Sequence, residues 1–259
     1  MSETTTVVLH GFTGSASAMV PLTSRLPQPV LAVDLPGHGS GPISDDPADY
    51  TMAAAVAAVV TAVTDRERFA LVGYSMGGRV ALHLAVAHPD RVAALAVIGA
   101  RGGIDDPVER ARRIAADEAL AAQIETRGIE WFTDHWGDLP LFASQRHRLP
   151  AAQRAALRAQ RLACDPGGLA RSLRGMGAGA VDPIGGRLGE LSMPCTLIAG
   201  ADDTKFAAIA RAMAAVIPRA DVYLVPDAGH AAHLEAPDAT ATAVAAVTQA
   251  GFAPRVPLA

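Results

Sequence analysis

The sequence predicts an α/β fold, a mainly parallel sheet flanked by helices with a helical segment inserted between two strands. Three observations predict it. Short β-branched runs alternate with alanine-rich helical stretches. One run enters a glycine-flanked serine and leaves it as a helix. The strand signal vanishes over a long arginine-bearing stretch and returns near the C-terminus.

The first run, Thr6 to Leu9, is followed by Gly11 and Gly14, and the second, Val30 to Val33, by Pro36 and Gly37. Met52 to Val63 is a dozen mostly alanine and valine residues. That is well below the roughly 20 apolar residues a bilayer span needs, so it reads as a buried helix. Phe69 to Val72 is the third strand, Arg79 to Ala87 a helix and Val92 to Ile98 the fourth strand. From Gly102 to about Arg187 only helical patterns remain, broken at Gly128, Pro140, Pro150 and Gly167. Thr196 to Ala199 and Val222 to Val225 restore the strand signal, and helical stretches follow Lys205 and Glu235. The predicted organisation is a core of residues 1–101 and 188–259, with 102–187 as an inserted helical cap.

A chain of 259 residues suits one such core plus its insertion. Half of the residues are hydrophobic and 19% are charged, which argues for a packed globule. A net charge of -4 offers no basic field, so neither nucleic acid nor stable membrane association is expected. The two cysteines, Cys164 and Cys195, lack disulfide, redox or zinc spacing, and Met1 to Leu9 does not read as a secretory signal. A cytoplasmic monomer or small homo-oligomer is expected. No histidine pair has ligand spacing beside a supporting acid, so no metal is expected.

The run from Phe69 continues as Gly73-Tyr74-Ser75-Met76-Gly77, a G-x-S-x-G nucleophile elbow at a strand-to-helix junction. Glycines flank the serine because the sharp turn leaves no room for side chains. A serine nucleophile needs a base and an orienting acid, and an α/β-hydrolase fold supplies them in the order Ser, acid, His. Asp203 follows the strand ending near Gly200, and His230 follows the strand ending at Val225. The predicted catalytic triad is therefore Ser75, Asp203 and His230, where the choice of Asp203 over the adjacent Asp202 rests only on the family resemblance given below, and His233 is a weaker alternative for the base. The segment Leu9-His10-Gly11-Phe12-Thr13-Gly14 leaves the first strand as a candidate oxyanion loop, so the backbone N–H groups of Phe12 and Met76 form the expected oxyanion hole.

Several segments then narrow the reading: GYSMGGR ending at Arg79, ERARRIAAD (Glu109 to Asp117), W-x3-PLFAS (Trp136 to Ser144), G-x2-D-x-KF (Gly200 to Phe206) and AGHAAHLE (Ala228 to Glu235). Together with HGFTG and VDLPGHG they resemble, over nearly the whole chain, the 2-succinyl-6-hydroxy-2,4-cyclohexadiene-1-carboxylate synthase (MenH) family of menaquinone biosynthesis. The resemblance implies an α/β-hydrolase-fold lyase without an external cofactor. Its triad would act as a base on a small anionic cyclohexene substrate and eliminate pyruvate.

A substrate with three carboxylates calls for arginines, whose planar forks match carboxylates. The resemblance implies Arg79, Arg113 in preference to Arg112, and Arg158, with Arg161 an open alternative for the third. Tyr74 and Trp136 match pocket positions. The chain enters the HGF strand almost at once, so the fold's leading hairpin is expected to be missing. Two other readings stand beside this one: a serine hydrolase acting on an ester or a carbon–carbon bond, and a non-catalytic ligand-binding protein.

Overall fold

The computed structural model of the chain describes residues 5–252. Six strands form one all-parallel sheet: β1 Thr6–Leu9, β2 Val30–Val33, β3 Phe69–Tyr74, β4 Val92–Ile98, β5 Cys195–Gly200 and β6 Ala220–Val225. Their spatial order is β2-β1-β3-β4-β5-β6. Valine, leucine and alanine dominate these strands because a parallel sheet is covered on both faces. β3 and β4 are the innermost, and Phe69 to Val72 and Val92 to Ile98 are buried throughout.

Alternate side chains feed two cores, following the two-residue period of a strand. Val7, Leu9, Leu71, Val97 and Leu197 pack against α1 (Met52–Ala62) and α2 (Met76–Ala87). Val8, Ala70, Val72, Ala96 and Ile98 pack on the opposite side against Met19, Leu22, Val244 and Val247. Each fully buried leucine or valine there contributes roughly 1.5–3 kcal/mol.

Between β4 and β5 the chain builds a helical layer over the carboxyl ends of the strands. It contains α3 (Pro107–Gly137), α4 (Ala151–Leu162) and α5 (Pro166–Met176). α3 is broken at Gly128, whose φ of 82° is open to glycine and strained for other residues. Asp106 and Asp165 cap α3 and α5 by accepting the N–H groups of Glu109 and Gly168. This layer has its own small core of Ala121, Ile124, Phe132, Leu169, Ala170 and Leu173. After β5 follow α6 (Thr204–Ala214), β6 and α7 (Pro237–Phe252), which covers the second face of the sheet. Among the described residues no helix is long and apolar enough to cross a membrane.

Candidate active site

Ser75 joins β3 to α2 at φ 51° and ψ −111°, a backbone state costly for a residue with a side chain. The surroundings impose it. The Ser75 N–H donates to the Ile98 carbonyl at 2.8 Å, and the Ser75 carbonyl accepts the Arg79 N–H at 3.0 Å. A Cβ on Gly77 would lie 2.4 Å from the His10 carbonyl oxygen, so the helix can follow this closely only with glycine there.

His230 and Asp203 reach Ser75 from the loops after β6 and β5, because ligands and reactive groups gather at the carboxyl ends of parallel strands. His230 Nε2 lies 3.2 Å from Ser75 Oγ, and His230 Nδ1 lies 2.7 Å from Asp203 Oδ2. A carboxylate only accepts, so Nδ1–H donates to Asp203 and the Nε2 lone pair faces the serine hydroxyl. Asp203 also caps α6 by accepting the Phe206 N–H at 3.2 Å, which fixes the carboxylate. Gly99, with φ 57°, makes room for the imidazole: a Cβ there would stand 3.1 Å from His230 Cε1. The Phe206 ring closes another side, 4.7 Å between centroids.

The alternatives for acid and base lie elsewhere. Asp202 bonds to Arg148 of the helical layer. His233 is buried beneath Tyr74, ring centroids 4.1 Å apart, with its Nδ1 unpartnered. Burial, then the neighbouring His230, holds the His233 imidazole down to about 3.

Phe12 and Met76 both line the cavity in front of Ser75. Neither backbone N–H is engaged by a backbone carbonyl among the described residues. The loop carrying Phe12 is anchored at His10, which is buried, lies 2.8 Å from the Gly11 carbonyl through Nδ1 and accepts the Leu35 N–H at 3.0 Å. Burial pushes the His10 pKa down, which keeps this ring neutral and able to accept. From the helical layer, Gln160 donates to the Thr13 carbonyl at 2.8 Å.

The cavity is lined by Ser75, His230, Tyr74, Trp136, Arg79 and Arg113 among others. It encloses about 780 Å³ including the part open to solvent. Arg79 stands one turn beyond Ser75 on α2 and donates to the Met176 carbonyl at 2.6 Å, while its Nε has no partner. Burial, then the nearby Arg113 cation, lowers its guanidinium pKa to about 10. Arg113 is held by Asp117, whose two carboxylate oxygens each lie 2.8 Å from Nε. Burial raises the Asp117 pKa against the pull of Arg113. Tyr74 is also raised by burial and so remains a neutral phenol.

Arg158, expected from the resemblance to face the substrate, does not line this cavity. It is half exposed and pairs with Asp134 at 2.9 Å on the outer side of the helical layer. The inward arginine is Arg161, which lines a small chamber bordered by Tyr74, Phe142, Gln145 and His233. Its guanidinium lies 5.6 Å from the Phe142 ring centroid, and burial lowers its pKa. A signal for this was present in the sequence. Leu157 is the only large apolar residue of α4 before its final Leu162, and Gln160 and Arg161 follow it at i+3 and i+4, on the same face. Two further residues to which pattern assigned no part are Asp117, behind Arg113, and Lys205, on the cavity lining.

The all-parallel sheet, the strained serine elbow and the Ser-His-Asp line define the class, and the Alpha/beta hydrolase family matches the chain over residues 6–243. Sequence relatives narrow it. A Serratia proteamaculans (strain 568) protein named 2-succinyl-6-hydroxy-2,4-cyclohexadiene-1-carboxylate synthase is 32% identical over 235 residues, 90% of this chain and 88% of that protein. A Bacillus subtilis (strain 168) protein that carries the same name provisionally is 37% identical over 234 residues, 89% of this chain and 85% of that one. Among solved structures, MenH from S. aureus superposes with a TM-score of 0.91 at 31% identity, covering 96% of this chain and 94% of that chain. The chain belongs to the alpha/beta hydrolase family and, within it, to the 2-succinyl-6-hydroxy-2,4-cyclohexadiene-1-carboxylate synthase (MenH) family.

Proposed function

We propose that the protein eliminates pyruvate from 2-succinyl-5-enolpyruvyl-6-hydroxy-3-cyclohexene-1-carboxylate to give 2-succinyl-6-hydroxy-2,4-cyclohexadiene-1-carboxylate. One observation carries this reading. A hydrogen-bonded Ser75, His230, Asp203 line opens onto a cavity holding the Arg79 and Arg113 guanidinium groups, in a chain of this synthase family.

Ser75 passes its proton to His230 Nε2 and takes the ring proton beside the succinyl ketone. The Phe12 and Met76 N–H groups receive the developing enolate oxygen. As the enolate collapses, the ring double bonds shift and the carbon–oxygen bond to the enolpyruvyl group breaks, with its electron pair leaving on oxygen. His230 gives up its proton to the departing group, which ends as pyruvate. Asp203 holds the imidazole in the required tautomer and stabilises its cation. Arg79 and Arg113, on the cavity lining, and Arg161, from the adjoining chamber, take the carboxylates of the ring and of its succinyl arm. A cytoplasmic setting is part of the proposal and fits two unpaired cysteines.

The testing assay generates the unstable cyclohexene substrate in situ and follows pyruvate release above the spontaneous rate, with p-nitrophenyl acetate alongside. Accelerated pyruvate release with slow ester turnover is expected. Fast ester turnover with no acceleration of pyruvate release would assign the triad to hydrolysis instead.

A further inference from the structure

We propose that Lys205 is the mouth cation of the cavity, binding the carboxylate of the substrate's enolpyruvyl arm and then that of the departing pyruvate. The inference rests on the elimination reading and adds to it where the leaving group sits and by which side it goes.

Lys205 is the second residue of α6, two positions after Asp203, and its side chain is exposed. It lines the cavity together with Ser75, Arg79 and Arg113. It also lines an open groove on the outer side of the triad, with Ser144, His147, Arg148 and Asp202. Only Leu141, Lys205 and His230 are shared by the two linings. Leu141 of the helical layer, Lys205 of the core and the His230 ring therefore form the boundary between the cavity and the solvent groove.

The charges along this boundary are unequal in what they can still bind. Arg148 is taken up by Asp202 and Glu235, and Asp203 by His230. Lys205 has neither an ion-pair nor a hydrogen-bond partner among the described residues; its amine lies only near the Phe206 ring, 5.8 Å from the centroid. Deeper in, Arg79 is partly buried and tied to Met176, and Arg113 is tied to Asp117. Arg161 lies apart, in the chamber bordered by Tyr74.

Fixed, forked guanidinium groups suit the carboxylates that stay on the ring product. A point charge on a flexible four-carbon stem at the exit suits the one that must be held and then released. The arm whose carbon–oxygen bond breaks is also the fragment that separates from the ring and leaves as a free anion. These two requirements coincide at Lys205.

Lys205 is the only lysine in the chain, which permits a direct test. Reductive ¹³C-methylation yields a single dimethyllysine resonance and preserves the charge. Titration with pyruvate should shift that resonance saturably, while the neutral ester methyl pyruvate should leave it in place. Lys205→Met should fold normally, lose about fivefold in kcat/KM and show a weaker dependence on salt, the behaviour of an exposed charge that guides and holds an anion. Lys205→Arg should recover most of the loss. A resonance unmoved by pyruvate, or a Lys205→Met enzyme with the wild-type kcat/KM and salt dependence, would overturn the assignment. Failure of the unmodified enzyme to release pyruvate would count against the elimination reading, whereas the resonance reports on the anion site whatever the turnover.

Discussion

Gly73 and Gly77 face each other across the serine elbow: a Cβ on Gly73 would lie 2.3 Å from the Gly77 carbonyl oxygen. The obstructing atoms are backbone, so neither side can give way. Gly73→Ala should therefore cost on the order of 3 kcal/mol or more of folding stability. Denaturant unfolding reads the loss, and alkylphosphonate labelling reports whether any folded fraction still presents a reactive Ser75.

Arg161 reaches the inner chamber, whereas Arg158 lines only the outer groove. Arg161→Ala should lower kcat/KM for pyruvate release by roughly 2–4 kcal/mol, the range for removing one partner of a sheltered charge pair. Arg158→Ala removes a half-exposed pair with Asp134, and such pairs contribute about 0–1 kcal/mol. Kinetics of the two variants side by side check the assignment, and equal losses would speak against it.

The difference between these arginines also marks what the sequence could and could not say. The strands, the elbow and the chain order of Ser75, Asp203 and His230 are legible because each rests on local chemistry: β-branched runs, glycines where a Cβ would collide, loops after strands. The facing of α4 is harder to read because the helix has no fully buried residue, and its only large apolar residues are Leu157 and, at the last position, Leu162. Asp202 and Asp203 cannot be told apart by pattern either. Only the tertiary arrangement sends one carboxylate to Arg148 and the other to His230. The part of Asp117 behind Arg113 is equally hidden, since an i,i+4 Arg-Asp pair on a helix reads as ordinary surface pairing until the aspartate proves buried.

Buried neutral histidines give the fold a predictable acid limit. His38 and His233 are held down to about 3, by burial first and then by His10 and His230 respectively. The unfolded chain takes up those protons near the ordinary imidazole value of 6.5, while the folded chain resists them until about 3. Stability is thus full above pH 6.5 and falls as pH drops towards 3. Each such proton contributes a slope of about 1.4 kcal/mol per pH unit. Thermal melts across this window should show the decline, and His233→Asn should flatten it by one proton's share.

Arg148 joins the helical layer to the core through two unequal partners. Asp202 is half exposed, whereas the Glu235 side chain is fully buried, accepts the Gly229 N–H at 2.9 Å and has one oxygen without a partner. Arg148→Ala leaves that carboxylate uncompensated and should cost about 1–3 kcal/mol of stability. Asp202→Ala should cost under about 1 kcal/mol. Melting temperatures of the two variants give the comparison.

The most direct test of the account is the rate of pyruvate release by Ser75→Ala and His230→Ala beside the unaltered enzyme, with folding confirmed by thermal melting. If the serine and its imidazole partner remove the ring proton together, both variants fold and each falls by several orders of magnitude, towards the spontaneous rate. Release at the unaltered rate by a folded Ser75→Ala variant would contradict the account.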